Sequence, residues 1–99
     1  MASCYILYSE RIDSFYVGST TEPIGIRLER HNSEYYDSKW ASRGIPWTLF
    51  FEIPCDSIQL ARSLESHIKK MKSRIYIQNL VTYPEMVAKL KIRYQKPDC

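Results

Sequence analysis

Two short runs rich in aromatic and branched residues stand near the start of the chain, separated by a polar stretch. The runs cover residues 4–8 and 15–17. Runs of this length with a short polar connection are typical of a β-hairpin. With a four-residue loop over residues 9–12, Tyr5 lies opposite Tyr16. This register predicts that the two tyrosines share one face of the hairpin.

The middle of the chain predicts a helix, a loop and a third strand. Arg27 and His31 fall on one face of a helix that follows the turn at Pro23 and ends near Asn32. Residues 34–44 have no clean period and predict a surface loop. Residues 47–53 predict a strand with two partly apolar faces, which favours a central position in the sheet.

Helical patterns fill the second half of the chain. Asp56 opens a capping-box pattern, and the apolar stripe after it predicts a long helix to about Lys72. Glu65 lies at the edge of this stripe, so we expect it to face the seam between helix and sheet. Ser73 and Pro84 are predicted to begin two further helices. The pattern indicates an α+β fold in which helices pack on a small antiparallel sheet.

Length, composition and cysteine usage limit the class of protein. A chain of 99 residues, 44% hydrophobic and 25% charged, is typical of one globular domain, which we expect to span residues 1–99. The net charge of +3 permits contact with nucleic acid without proving it. Cys4, Cys55 and Cys99 form no CxxC pair, which argues against a disulfide framework or a zinc site and favours a reducing, cytoplasmic location. Neither a signal peptide nor a membrane partner is expected.

Two tyrosines and the residues that follow them resemble a known motif. Ten residues separate Tyr5 from the triplet Tyr16-Val17-Gly18. This pair is similar to the motif that names the GIY-YIG nuclease family, although Tyr5 alone matches the first triplet. The resemblance covers about residues 3–82, and the chain resembles above all the free-standing one-domain members. Further matches in order and spacing are Ser19-Thr20-Thr21, Arg27-Leu28, His31-Asn32, Ala61, Glu65, Ile68-Lys69-Lys70 and Lys72-Ser73-Arg74.

The resemblance implies a fold and an activity. Family members have a three-stranded antiparallel sheet flanked by helices, with residues 83–99 here forming a helical extension. They are similar to the N-terminal nuclease domain of the bacterial excision-repair endonuclease and to homing endonucleases. We therefore expect a metal-dependent endonuclease that hydrolyses DNA, branched or damaged DNA included, in repair, recombination or defence. Its oligomeric state, monomer or weak homodimer, stays open.

The resemblance also assigns roles to individual residues. Tyr16 is expected to act as general base, although a free tyrosine with a pKa of about 10 needs nearby cations to do so. Tyr5 would orient Tyr16 or the water. Arg27 would clamp the scissile phosphate through its planar fork. Glu65 would hold one Mg²⁺ or Mn²⁺ ion, since these cations prefer oxygen ligands. His31 would contact phosphate or move a proton.

Basic and aromatic residues outside this constellation are candidates for contact with DNA. We expect cations to follow the backbone and aromatic rings to stack on exposed bases, without direct base readout. The predicted DNA-binding residues are Lys69, Lys70, Lys72, Arg74, Lys39, Arg43 and Asn79, with Tyr35, Tyr36 and Trp40 for stacking.

Two competing interpretations remain open. Glu65 and Arg27 would form an ordinary ion pair if their role is structural, and metal dependence distinguishes that case. A nucleic-acid-binding module of the same fold that has lost turnover is the alternative function. The presence of Tyr16 together with Arg27 and Glu65 argues against it. His67, on the opposite border of its helix from Glu65, is predicted to be a surface residue.

Overall fold

The computed structural model describes residues 2–33 and 43–95. Within these ranges three strands form one antiparallel sheet and four helices pack around it. The strands are β1 (Ala2–Ser9), β2 (Ser14–Thr20) and β3 (Thr48–Cys55). The helices are α1 (Ile24–Asn32), α2 (Ile58–Met71), α3 (Arg74–Thr82) and α4 (Pro84–Tyr94). The predicted α+β fold with a three-stranded antiparallel sheet is confirmed.

The register of the hairpin between β1 and β2 differs from the predicted one by two residues. Tyr5 lies opposite Gly18, and Tyr16 lies opposite Leu7. The predicted pairing of Tyr5 with Tyr16 is therefore wrong. The consequence drawn from it survives, because a slip of two residues leaves every side chain on the same face of a strand.

β1 lies in the centre of the sheet, and β3 lies at an edge, contrary to the prediction of a central β3. The register between them jumps from the pair Ile6–Phe51 to the pair Leu7–Leu49, which leaves Phe50 in a bulge. Because of this bulge, Phe50 and Phe51 both pack on the same core. The apolar residues on both apparent faces of β3 thus reflect a bulge in an edge strand.

The sheet is covered on both faces. On one face Ile6, Val17 and Ile53 pack with Leu64 and other residues of α2, α3 and α4. On the other face a smaller cluster of Tyr5, Leu7 and Trp47 packs against α1. The sheet therefore separates α1 from α2, and residues from these two helices can meet only around a sheet edge.

Local hydrogen bonds set the helix ends. Ser57, in extended conformation, accepts a hydrogen bond from the backbone of Leu60 at 3.1 Å, so Ser57 caps α2 and the predicted cap Asp56 is wrong. Ser73 caps α3 as predicted. None of the helices in residues 2–33 and 43–95 has the length and apolar character that crossing a membrane requires.

Candidate active site

The hairpin brings two tyrosine rings together on the face of the sheet that α1 covers. The rings of Tyr5 and Tyr16 stack with their centroids 6.5 Å apart and an interplanar angle of 20°. Tyr5 is completely buried, whereas Tyr16 is half-buried. Tyr16 is therefore the tyrosine that a substrate can reach, and Tyr5 lies behind it.

The ring of Tyr5 fits because its partner on β2 is a glycine. A Cβ atom added at Gly18 would lie 2.6 Å from both Cζ and Oη of Tyr5. Carbon atoms in contact normally stay about 3.5–4.0 Å apart. The glycine of the triplet Tyr16-Val17-Gly18 thus makes room for the buried tyrosine.

Two residues of α1, one turn apart, converge on the hydroxyl of Tyr5. Nη2 of Arg27 donates to the Tyr5 hydroxyl at 3.3 Å, and Nε2 of His31 lies 3.1 Å from the same oxygen. Both contacts are satisfied when Tyr5 accepts from Arg27 and donates its own proton to His31. The ring of His31 also meets the ring of Tyr16 edge-on at 4.6 Å between centroids. Tyr5 and His31 together position Arg27 and Tyr16.

His31 is buried and electrically neutral at neutral pH. Burial, followed by the positive charge of Arg27, lowers the pKa of His31 to about 4. The side chain is only 3% exposed. This burial favours a positioning role through Tyr5 over direct contact of His31 with phosphate.

Glu65 lies on the other face of the sheet, at the seam predicted for it. Its Oε1 accepts from the hydroxyl of Ser19 at 2.6 Å, and its Oε2 accepts from Nζ of Lys69 at 2.6 Å. The side chain remains 21% exposed. These contacts replace the structural bridge between Glu65 and Arg27 that was the competing interpretation.

β2 connects the two halves of the site. Tyr16 and Ser19 point to opposite faces of this strand, toward Tyr5 and Glu65 respectively. Because β2 is an edge strand, no neighbouring strand in the described ranges covers its outer side. Arg27, Tyr16 and Glu65 are thus arranged around one exposed edge, where a single extended ligand can reach all three.

A family model for the GIY-YIG catalytic domain matches residues 1–79. The chain belongs to the GIY-YIG family. This is a family of nucleases, and its domain implies an endonuclease with a DNA substrate. A search of the curated proteins and a search of the solved structures each found no match to this chain.

The donor atoms of this GIY-YIG domain fit a hard divalent cation. Among the described residues no group of three or more His, Cys, Asp or Glu side chains is placed to hold a metal. Glu65 offers a partly exposed carboxylate held by Ser19. Mg²⁺ commonly keeps several waters and binds through one or two carboxylates together with substrate phosphate, so one glutamate is a sufficient protein ligand.

Sequence reasoning missed two residues of the site, Ser19 and Arg62. Both line a cavity of about 210 Å³ at the end of β2, together with Arg27. The remaining lining residues are Thr20, Thr21, Glu22 and Ile58. Ser19 belongs to a motif that the resemblance matches without assigning it a role. Only the packing of α2 on the sheet places Arg62 near Arg27, 35 residues earlier in the sequence.

The predicted DNA-binding residues differ in their surroundings. Arg74 forms a bidentate pair with Asp13, at 2.7 and 3.0 Å, which ties α3 to the turn after β1. This contact competes with a role in DNA binding. Lys70, Lys72 and Arg43 are exposed, and Lys69 is paired with Glu65. Asn79 is half-buried on α3. Lys39, Tyr35, Tyr36 and Trp40 lie outside the described residues.

His67 is not the simple surface residue that the sequence predicts. Its two ring nitrogens lie 2.7 Å from the hydroxyl of Tyr94 and 3.1 Å from the hydroxyl of Tyr76. The ring therefore joins α2 to α3 and α4. Partial burial, followed by the charges of Arg93 and Lys70, lowers the pKa of His67. The sequence of α2 alone gives no sign of these two partners.

Proposed function

We propose that this chain is a metal-dependent endonuclease that hydrolyses phosphodiester bonds of DNA. One observation carries the proposal: three residues far apart in sequence are held around the exposed edge of β2. Tyr16 lies on this strand, Arg27 is held by Tyr5 behind it, and Glu65 is held by Ser19. A base, a phosphate-binding guanidinium and a carboxylate at one edge are the groups that phosphodiester hydrolysis requires.

The residues divide the work of the reaction. Tyr16 takes a proton from the attacking water, while the water oxygen bonds to phosphorus and the ester bond to the leaving oxygen breaks. The leaving oxygen then takes a proton from solvent. Arg27 binds the phosphoryl oxygens with two parallel hydrogen bonds. Tyr5 and His31 fix the positions of Arg27 and Tyr16 through the contacts at 3.3 and 3.1 Å.

Glu65 is the residue we assign to the metal. When bound, a divalent ion supplies positive charge to the phosphoryl and leaving oxygens. Ser19 fixes the orientation of the Glu65 carboxylate by donating to Oε1. The ammonium group of Lys69 now contacts Oε2 and has to leave this oxygen for it to become a metal ligand. Released from Glu65, Lys69 carries its charge to the DNA backbone.

The test is metal-dependent cleavage of DNA by the purified protein and by a Glu65→Gln variant. Supercoiled plasmid reports nicking, and a branched duplex tests the proposed preference for branched or damaged DNA in repair, recombination or defence. Glutamine keeps an acceptor for Ser19 and removes the charge, so the fold is preserved. We expect cleavage with Mg²⁺ or Mn²⁺, loss with chelator, and a decrease of about a hundredfold or more in the variant.

The matched control is Glu29→Gln, because Glu29 is an exposed glutamate on α1. This variant should cleave at the wild-type rate. Equal rates for wild type and folded Glu65→Gln protein would refute the assignment of Glu65. Binding of DNA without cleavage under every metal condition would establish the alternative, a nucleic-acid-binding module that has lost turnover.

A further inference from the structure

Arg62 stands beside the proposed site without a described role. It lies on α2, three residues before Glu65, and its side chain is exposed. Together with Arg27 it lines the cavity of about 210 Å³ at the end of β2. Ser19 lines the same cavity and also donates to Glu65, so the cavity adjoins both the phosphate-binding and the metal-binding side chain.

The charges in this cavity favour an anion. Glu22 is its acidic residue, and Glu22 is already paired with Arg30 at 2.7 Å and with Arg27 at 3.8 Å. In the described part of the chain, the Arg62 guanidinium makes no hydrogen bond or ion pair. Arg74, by contrast, is held by a carboxylate. The five N–H donors of Arg62 are therefore available to a ligand.

A second groove continues from Arg62 along α2. It has a volume of about 280 Å³ and is lined by Arg62, Ser63, Ser66, His67, Lys70 and Tyr94. Arg62, Ser66 and Lys70 follow one another at intervals of four residues, so they share one face of the helix. This face is about 12 Å long between Arg62 and Lys70, and a DNA strand advances about 3.4 Å per nucleotide along the duplex axis. No carboxylate lines this groove among the described residues.

We infer that Arg62 binds the DNA backbone at a phosphate next to the scissile one, and that the strand continues from there along the α2 face toward Lys70. Arg27 holds the scissile phosphate, and Arg62 receives the neighbouring one at the mouth of the same cavity. The inference rests on the proposed function and adds the path of the bound strand. It makes Arg62 a substrate-positioning residue with no part in proton transfer.

The first test measures binding of a duplex and of a branched DNA in chelator, so that no cleavage occurs, as a function of salt. Each phosphate contact contributes about one unit to the slope of log K against log salt. Arg62→Ala should lower the magnitude of this slope by about one and weaken binding several-fold at low salt. Arg62→Lys keeps the charge and should restore the wild-type slope. Lys89→Ala, which removes a charge from an exposed residue of α4, should match wild type.

The second test separates a neighbouring phosphate from the scissile one. With metal present, Arg62→Ala should raise KM for DNA cleavage several-fold and leave kcat within about twofold of wild type, because it loses binding common to ground and transition states. A fall in kcat of about a hundredfold at unchanged KM would overturn the inference by placing Arg62 at the scissile phosphate.

The outcomes also distinguish this inference from the proposed function. If wild type binds DNA with a steep salt dependence and Arg62→Ala has the same slope and affinity, the inference is wrong and the nuclease proposal stands. If wild type shows no salt-dependent binding to either DNA, both are wrong. The free energy of unfolding of Arg62→Ala, measured in urea, should equal that of wild type, which excludes a structural cause.

Discussion

The close approach of Tyr5 to Gly18 predicts opposite effects for two glycine-to-alanine substitutions. In Gly18→Ala the new methyl group would lie 2.6 Å from Cζ and Oη of Tyr5. Tyr5 is completely buried and its hydroxyl is bound to His31 and Arg27, so the ring has to shift by about 1 Å within a packed core. The φ angle of Gly18 is not positive, so alanine introduces no backbone strain.

The magnitude follows from this overlap. Forcing an extra methyl group into a packed core costs about 1–3 kcal/mol, and alanine returns about 0.5–1 kcal/mol by restricting the unfolded chain. We expect Gly18→Ala to lower the free energy of unfolding by about 1–2 kcal/mol. Gly25→Ala is the matched control, because no atom lies within 4 Å of its added Cβ and the residue is in α1. It should raise the free energy by about 0.5 kcal/mol.

Urea denaturation followed by tryptophan fluorescence measures both values, because Trp47 is buried in the cluster that contains Tyr5. A double-mutant cycle identifies the cause: in a Tyr5→Leu background the ring is gone, and Gly18→Ala should cost almost nothing. DNA cleavage by Gly18→Ala should fall about a hundredfold, since a shift of about 1 Å misplaces Arg27 and Tyr16. A Gly18→Ala protein as stable as wild type, or a penalty unchanged by Tyr5→Leu, would refute the reasoning.

Three further predictions concern other contacts. The pKa of His31 falls from its ordinary 6.5 to about 4 on folding, so stability is fully present above pH 6.5 and declines as pH falls toward 4. Denaturation curves at about pH 7 and pH 5 should show a loss of about 2 kcal/mol that is absent in His31→Gln; equal losses in both proteins would contradict this. Asp13→Ala should lower the thermal midpoint because Arg74 loses its bidentate partner, and an unchanged midpoint would mean that this pair is not stabilising. Burial raises the pKa of Cys4 to about 12, so iodoacetamide at about pH 8 should modify Cys4, followed by peptide mass spectrometry, only after unfolding.

Local patterns in the sequence determined the helices, the strands and the faces of their side chains. Tyr5 and Tyr16 share one face as predicted although their register differs, because side-chain direction in a strand has a period of two residues. Ser73 is recognisable as a helix cap because capping depends on the next three residues alone. The position of Glu65 at the seam follows from the apolar stripe of its helix.

The tertiary structure decided every feature that depends on contacts between distant segments. The edge position of β3 and its bulge arise from pairing with β1, which the composition of β3 does not encode. His67 meets two tyrosines, and Ser19 meets Glu65, 46 residues away. Arg62 reaches Arg27 only because α2 packs against an edge strand. Side-chain direction is a local property of the backbone, whereas the partner that a side chain meets depends on how the elements pack.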